Sequence, residues 1–486
     1  MRNPLPIEGW GSLGLFVLGL LPFALLVDTL DDTTLLAAGS FGVVIAAYLG
    51  WSYYVTEWNP DLSGLFTAPH ALVVMLGVCL LVVWAKWIPL SVVTFVHLAA
   101  LMLFFYYYWF IGSLAVYHEQ RHRGEDSDVQ SYRSITVLVP AFNEEGYIGK
   151  TLRAVLEAEY PDEKKEIVVV DDGSTDGTYE EALTYASDQV KVVQKENGGK
   201  YSALNYGLMF ATGDFIVTID ADSIVHSEAL LEIVAPLHAD EEVGAVASHV
   251  KVMNADRLIT TCQQLEYIVG MNIYRRMLDL FGTVTIVPGC LGAYRRSVID
   301  DIYAYDPDTL TEDFDITTKV LKTGYRVTVS EALVYTEAPD TWRDLYRQRL
   351  RWYRGNFMTI FKHADLLWDP SIGFVHRLAF PLRIFEMFLL PIASWIILAL
   401  IVLAILQGQI VPILTLFVIF ASVIVLIGLI AIQIEGEEWT LALYSPLFVV
   451  GYKHFHDIIT LKSLVDVLFD REMDWTRATR TYQRQR

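Results

Sequence analysis

Two hydrophobic patterns divide this chain. Unbroken apolar runs occupy both ends: residues 10–27, 34–55, 71–90 and 92–116 before the middle, and 385–406, 411–434 and 439–458 after it. Each approaches the roughly 20 residues that a helix needs to cross a bilayer. In the middle the pattern shortens and alternates. Apolar strand-like runs at 135–139, 166–170, 190–194 and 214–219 take turns with helically spaced segments at 145–157, 176–187 and 201–211. Unbroken apolar strands separated by helices imply a parallel sheet covered on both faces. Right-handed crossovers make such a sheet open and doubly wound. The expected fold is therefore an α/β domain with an open, mostly parallel sheet, held between transmembrane helices. Ligands of such sheets lie beyond the carboxyl ends of the strands. Three polar clusters fall there: Asn143-Glu144-Glu145, Asp171-Asp172-Gly173 and Asp220-Ala221-Asp222.

Beyond residue 340 the period returns to that of a helix. Trp342, Leu345, Tyr346, Leu350, Phe357, Ile360 and Phe361 form one stripe, with arginines on the other side. Such a helix lies in a membrane interface or packs on the soluble domain. The expected division is 1–117, four N-terminal spans; 118–340, the soluble domain; 341–380, interfacial amphipathic helices; and 381–486, C-terminal spans with a basic tail. The first span has no small-residue cleavage site and is read as a retained helix.

Charge sets the orientation. Arg121, Arg123 and Arg133 precede the soluble segment and Arg377 and Arg383 follow it, whereas the loop after the first span is acidic. The positive-inside rule then places the soluble domain in the cytoplasm of a multi-pass cell-membrane protein. Three later spans would export the basic tail 477–486 against that rule, so the parity of the C-terminal part stays open. A formal net charge of −21 excludes nucleic acid as a partner. The cysteines Cys79, Cys262 and Cys290 have no metal-like or redox-like spacing, which fits reduced thiols on a cytoplasmic face. His454 and His456 stand two apart, which on a helix points them to different faces rather than to one metal.

The candidate chemistry is carboxylate-rich. Asp220 and Asp222 offer only oxygen ligands at a strand end and project to one side while the strand stays extended, which suits Mg²⁺ or Mn²⁺. Such an ion stabilises a departing diphosphate. Asp171 and Asp172 sit in a turn rich in cap-forming residues and offer a carboxylate to a base or ribose. Lys200 follows two glycines and opens a helix, a place suited to a diphosphate. Asp313, in Thr311-Glu312-Asp313, is the best carboxylate for taking a proton from an attacking hydroxyl. In Gln348-Arg349-Leu350-Arg351-Trp352, Arg351 can fork onto phosphate and Trp352 can face a sugar ring.

In this order, these residues resemble the membrane-embedded processive glycosyltransferases of family 2, the group of hyaluronan, chitin, cellulose and poly-N-acetylglucosamine synthases. The resemblance covers about residues 135–355 and the flanking helices, and implies a GT-A type nucleotide-sugar-binding domain. By that resemblance Pro140, Ala141, Phe142 and Glu144 form the base-binding loop, with Phe142 on uracil. Asp171 or Asp172 contacts the uridine, Lys200 of Gly199-Lys200-x-x-Ala203-Leu204-Asn205 the diphosphate, and Asp220-Ala221-Asp222 the nucleotide and metal. Gly289 and Cys290, in Pro288-Gly289-Cys290, look like the loop that receives the acceptor end. Asp313, beside Glu312, matches the general base. Gln348, Arg349, Arg351 and Trp352 belong to the Gln-x-x-Arg-Trp motif on the acceptor and diphosphate side. Four N-terminal spans exceed the two typical of hyaluronan-type relatives, and no soluble sensor domain follows the last span.

The implied activity is inverting, metal-dependent polymerisation of a UDP-sugar, with the growing polysaccharide passing through the protein's own membrane channel. The Gly-Lys-x-x-Ala-Leu-Asn form leans towards N-acetylglucosamine. Alternatives are addition of one sugar to a polyprenyl or other lipid acceptor, and a non-enzymatic transporter or scaffold with a nucleotide-sensing domain.

Overall fold

A computed structural model of the chain describes residues 111–112, 114–119, 132–406, 408, 421, 424–425, 427–449 and 451–471. The first three N-terminal spans, most of the fourth, the basic tail and most of the span expected at 411–434 lie outside the described residues. Two compact units emerge: 122–363 with 463–486, and 1–121 with 364–462.

The first unit is built on an eight-stranded sheet. Its strands are β1 (Ile135–Ala141), β2 (Lys165–Asp171), β3 (Val190–Gln194), β4 (Phe215–Thr218), β5 (Ile224–Val225), β6 (Val243–Val252), β7 (Gly292–Arg295) and β8 (Arg326–Thr336). The order is β3-β2-β1-β4-β7-β6-β8-β5. The helices that cover and connect them are α1 (Ile148–Glu157), α2 (Thr178–Leu183), α3 (Lys200–Leu208), α4 (Ala229–Ala239), α5 (Leu258–Glu266), α6 (Tyr274–Asp279), α7 (Arg296–Asp301), α8 (Glu312–Lys322) and α9 (Trp342–Lys362). The first four strands and their crossover helices stand where the hydrophobic period places them. Val137, Val139, Ile167 and Val169 on one face and Leu138, Val168 and Val170 on the other are all buried, as strands covered on both faces require. A Cβ on Gly207 of α3 would meet Val170 at 3.1 Å and Leu138 at 3.2 Å, so the helix lies close on β1 and β2.

The sheet is mixed, which corrects the mostly parallel expectation. β1 pairs in parallel with β2 and β4, and β2 with β3. β7 then enters antiparallel between β4 and β6, β8 runs parallel to β6, and β5 antiparallel to β8. This reversal positions the site. Because β7 is antiparallel to β4, with Gly292 opposite Thr218, the loop before β7 lies beside the carboxyl end of β4.

Helix α9 falls in the sheet's compact unit, which runs on to His363. Part of its apolar stripe is spent on packing: Leu345 and Phe357 are fully buried and Ile360 nearly so, while Trp342 and Phe361 stay exposed. The arginines do not all stand on the opposite side. Arg349 is the largest fully buried side chain among the described residues.

In the second unit, Val375–Leu403 is a helical stretch of 29 residues, long and apolar enough to cross a membrane, and the one such stretch among the described residues. The expected span at 439–458 is not one helix. A 3₁₀ segment, Trp439–Phe448, holds Pro446, and Gly451 at φ +103° separates it from the helix Tyr452–Leu468. Proline removes a helical donor and a left-handed glycine ends the turn. His454 packs edge-on against Trp395 and His456 against Tyr452, so the two do not converge.

Candidate active site

The base-binding loop predicted after β1 is knitted to the turn after β2. Asn143 takes φ +55°. Its N–H donates to Ser174 Oγ (2.9 Å) and its Oδ1 accepts from Thr175 N–H (2.8 Å). The Glu144 N–H donates to Thr178 Oγ1 (2.6 Å), and the Asp172 N–H to Ala141 O (2.8 Å). Pro140, Ala141, Phe142 and Glu144 are thereby held beside Asp171 and Asp172.

The two adjacent aspartates have different partners. Asp172 is consumed locally: it accepts from Lys195 Nζ (2.7 Å), Gly198 N–H (3.1 Å) and Gly199 N–H (2.8 Å). It shapes the Gly-Gly loop that delivers Lys200 to the start of α3. Asp171 is fully buried; its Oδ2 accepts from Gln194 Nε2 (2.9 Å) and Ser174 N–H (3.2 Å). Its Oδ1 is buried with no hydrogen-bond partner among the described residues.

Lys200 is the hub. Its Nζ lies 2.7 Å from Asp220 Oδ1 and 2.9 Å from Glu312 Oε1. Burial works against its charge, yet Asp220, Glu312 and Asp313 hold it well above the ordinary lysine value. Gly289 touches the same pair: a Cβ there would meet Lys200 Nζ at 2.4 Å and Asp220 Oδ2 at 3.4 Å. A side chain at 289 would displace the ammonium from Asp220. Burial, then Asp220, push the neighbouring Cys290 thiol up to about 12; Asp222 acts in the same direction. That thiol stays protonated at neutral pH. The Asp220-Ala221-Asp222 turn is anchored from α1, where Thr151 Oγ1 donates to Ala221 O (2.9 Å).

Asp313 sits in the first turn of α8, and its Oδ1 accepts from the Phe314 N–H (2.8 Å). Burial and the adjacent Glu312 push its carboxyl up to about 6, against the pull of Lys200, the Phe314 N–H and Arg351. Arg351 is thus close enough to act on Asp313. The helix carrying it touches the same motif at Gly355, where a Cβ would meet Thr311 Oγ1 and Cγ2 at 2.6 Å.

Arg349 forks onto Glu266, with Nε to Oε1 at 3.1 Å and Nη2 to Oε2 at 3.0 Å. It also donates to the Gln348 side chain. Its guanidinium carbon lies 4.1 Å from the centre of the Trp352 ring. One face of that half-buried indole is therefore taken by the protein. Arg349 is paired and enclosed, so it orients Trp352 rather than standing ready for a phosphate.

Several residues here were not singled out by the sequence. Asn205 of α3 clamps the backbone of Tyr305, its Nδ2 donating to Tyr305 O (2.8 Å) and its Oδ1 accepting from Tyr305 N–H (3.0 Å). Thr317 Oγ1 accepts from Val287 N–H (3.0 Å) and donates to Asp313 O (2.6 Å), tying the loop before β7 to the base. Asn205 carried a signal, as part of the lysine motif. Lys195, Glu266 and Thr317 carried none, because Asp172, Arg349 and Val287, which give them their place, are distant in sequence.

This mixed sheet, whose strand ends gather a lysine and paired aspartates beside a carboxylate raised to about 6, is of the GT-A type. Residues 136–303 match the model described as Glycosyl transferase family 2, and this segment is a glycosyltransferase domain of that family. The chain is 30% identical over 270 residues to a poly-beta-1,6-N-acetyl-D-glucosamine synthase of Staphylococcus aureus, covering 54% of this chain and 65% of that one. It is 34% identical over 236 residues to the probable glycosyltransferase YdaM of Bacillus subtilis, covering 47% and 56%. The match thus spans 65% and 56% of these two curated relatives' length, less than two thirds of each. Among solved structures, the Pyrobaculum calidifontis mannosyltransferase PcManGT in complex with GDP-Man and Mn²⁺ shares the fold, with TM-score 0.56, 24% identity, and coverage of 77% of this chain and 99% of that one.

Proposed function

We propose that this protein is an inverting, metal-dependent processive glycosyltransferase that polymerises N-acetylglucosamine from its UDP-activated form. The observation that carries the reading is the convergence of Asp220, Glu312 and Asp313 on Lys200, with Gly289 and Arg351 beside them. Asp171 receives the uridine through its partnerless oxygen, Phe142 covers the base, and Lys200 balances the diphosphate. The name of the staphylococcal relative supports the choice of sugar.

Asp220 and Asp222 stand in the turn after β4 and offer only oxygen donors, which suits a hard divalent ion. Asp220 and Asp222 would hold a Mg²⁺ or Mn²⁺ ion, which when bound would neutralise charge on the departing diphosphate. Asp313 takes the proton of the acceptor hydroxyl. The freed oxygen bonds to the anomeric carbon as the bond from that carbon to UDP breaks on the opposite face, inverting configuration. Trp352 holds the terminal sugar, and Arg351 lies where charge changes at Asp313.

We place the domain on the cytoplasmic side of a multi-pass membrane protein whose helices form a path for the polymer. The Val375–Leu403 helix and the apolar runs of the N-terminal 117 residues support this placement.

Purified protein or its membranes, given labelled UDP-N-acetylglucosamine with Mn²⁺ or Mg²⁺, is expected to release UDP and yield a product ladder that linkage-specific hydrolases digest. A single lipid-linked sugar would remove the polymerase reading. No UDP release from any UDP-sugar would remove the enzyme reading.

The pH dependence follows from Asp313. A base that titrates near 6 must be deprotonated to act, so turnover falls as pH drops through about 6 and is level above it. Rates of UDP release at saturating donor check this. A flat profile through that window assigns the proton transfer elsewhere.

A further inference from the structure

Asp306, Asp308 and Asp315 bring carboxylate oxygens together closely enough to hold a metal ion. A cation of the protein already sits there. The Lys362 Nζ lies 2.7 Å from Asp306 Oδ2, 2.8 Å from Asp308 Oδ1 and 3.0 Å from Asp315 Oδ1. An ammonium donates three bonds and finds three carboxylates. The cluster is a lysine cage, and its place in the fold shows what it joins.

Lys362 is the last residue of α9, the helix that carries Gln348, Arg351 and Trp352. Asp315 is 1% exposed and stands two residues past Asp313 at the start of α8; its Oδ1 also meets His363 Nε2 at 2.8 Å. Asp306 belongs to the loop leading to the Thr311-Glu312-Asp313 motif. That loop is gripped from two further sides. Lys319 of α8 donates to Ala304 O (2.8 Å) and Asp306 Oδ1 (3.1 Å), and Asn205 of α3 holds Tyr305. The cage therefore meets three elements: the helix of Lys200 through this loop, the helix of Asp313, and the helix of Trp352. Helices α8 and α9 already touch at Gly355 against Thr311. At the other end His363, which follows α9, meets Asp315, and Lys362 adds the tie that joins Asp315 to Asp306 and Asp308 of the loop, so that the angle between the helices and the loop is fixed together.

We propose that Lys362 is a positioning residue for glycosyl transfer: it sets the helix bearing Asp313 against the helix bearing Trp352, so that the base and the terminal sugar of the acceptor meet in reacting geometry. This rests on the function proposed above. Donor binding, which uses the strand ends and Lys200, does not depend on that angle. The cost of losing Lys362 falls on kcat and not on KM for the donor.

The test uses the full-length protein, UDP-N-acetylglucosamine and Mn²⁺, with UDP release and thermal unfolding measured together. Lys362→Met is expected to lower kcat about tenfold or more, since a misplacement of about 1 Å can cost 10²-fold, with donor KM within about twofold. Lys362→Arg, which keeps the charge and the donors, is expected to recover most of the rate. Lys362→Met also leaves three carboxylates facing one another, so it is paired with Lys362→Met/Asp308→Asn, which relieves their repulsion. The proposal stands if the double variant unfolds near the parent temperature and remains slow. It is overturned if kcat of Lys362→Met matches the parent, or if the double variant regains rate and stability together. Asp313→Asn, run alongside, separates the two levels. If it is inactive while Lys362→Met is as fast as the parent, only the positioning role fails; if it turns over normally, the function reading fails and this inference with it.

Discussion

Asp313→Asn is expected to lower turnover by about 10²–10⁴, the usual contribution of a positioned general base, with UDP affinity changed by no more than about twofold. Asparagine is nearly isosteric with aspartate. Its amide oxygen can still accept from the Phe314 N–H at the start of α8, so the turn survives. What it lacks is a lone pair basic enough to take the acceptor proton. The environment of Asp313 suits proton abstraction, because burial and Glu312 raise its carboxyl to about 6. At neutral pH it is ionised, yet more basic than an ordinary aspartate. The check is steady-state UDP release together with UDP binding by titration. Loss of UDP affinity with loss of rate would falsify the base assignment and make Asp313 part of the nucleotide site.

Arg349→Met is expected to destabilise the domain by about 3–5 kcal/mol, as when one partner of a buried ion pair is removed. Arg349 is fully buried, and its partner Glu266 is 18% exposed by side chain. Methionine fills part of the volume but leaves the Glu266 carboxylate facing α9 without its fork. It also uncovers the face of Trp352 on which the guanidinium lies. Thermal or denaturant unfolding gives the stability. Combining the change with Glu266→Gln is expected to cost less than the sum of the single changes, because no charge is then stranded. An Arg349→Met protein as stable as the parent would show that the pair is not a structural link. Lower activity at unchanged stability would point to the orientation of Trp352 instead.

These two predictions draw on different kinds of information. Asp313 is legible in the sequence: it is a carboxylate opening a helix, in an ordered series with the aspartates at the end of the fourth strand. Arg349 is legible there only as a member of a motif. Its neighbours put arginines opposite an apolar stripe, and that rule fails because a distant glutamate and an indole neutralise and cover the guanidinium. The same holds for the neighbouring aspartates 171 and 172. Both fit a turn, and only the hydrogen bonds show that one shapes the glycine loop while the other keeps a buried oxygen without a partner among the described residues.

The hydrophobic period by itself determined the first half of the sheet, the crossover helices and the strand ends where the polar clusters gather. Those features depend on local spacing, and local spacing is written directly in the residues. Tertiary structure alone decided that β7 turns back beside β4 and brings Gly289 onto Lys200 and Asp220, that α9 closes on the catalytic domain, and that three carboxylates enclose Lys362. Each joins segments tens of residues apart. Such pairings are selected by the combined packing and charge balance of the whole domain, which no window of sequence contains.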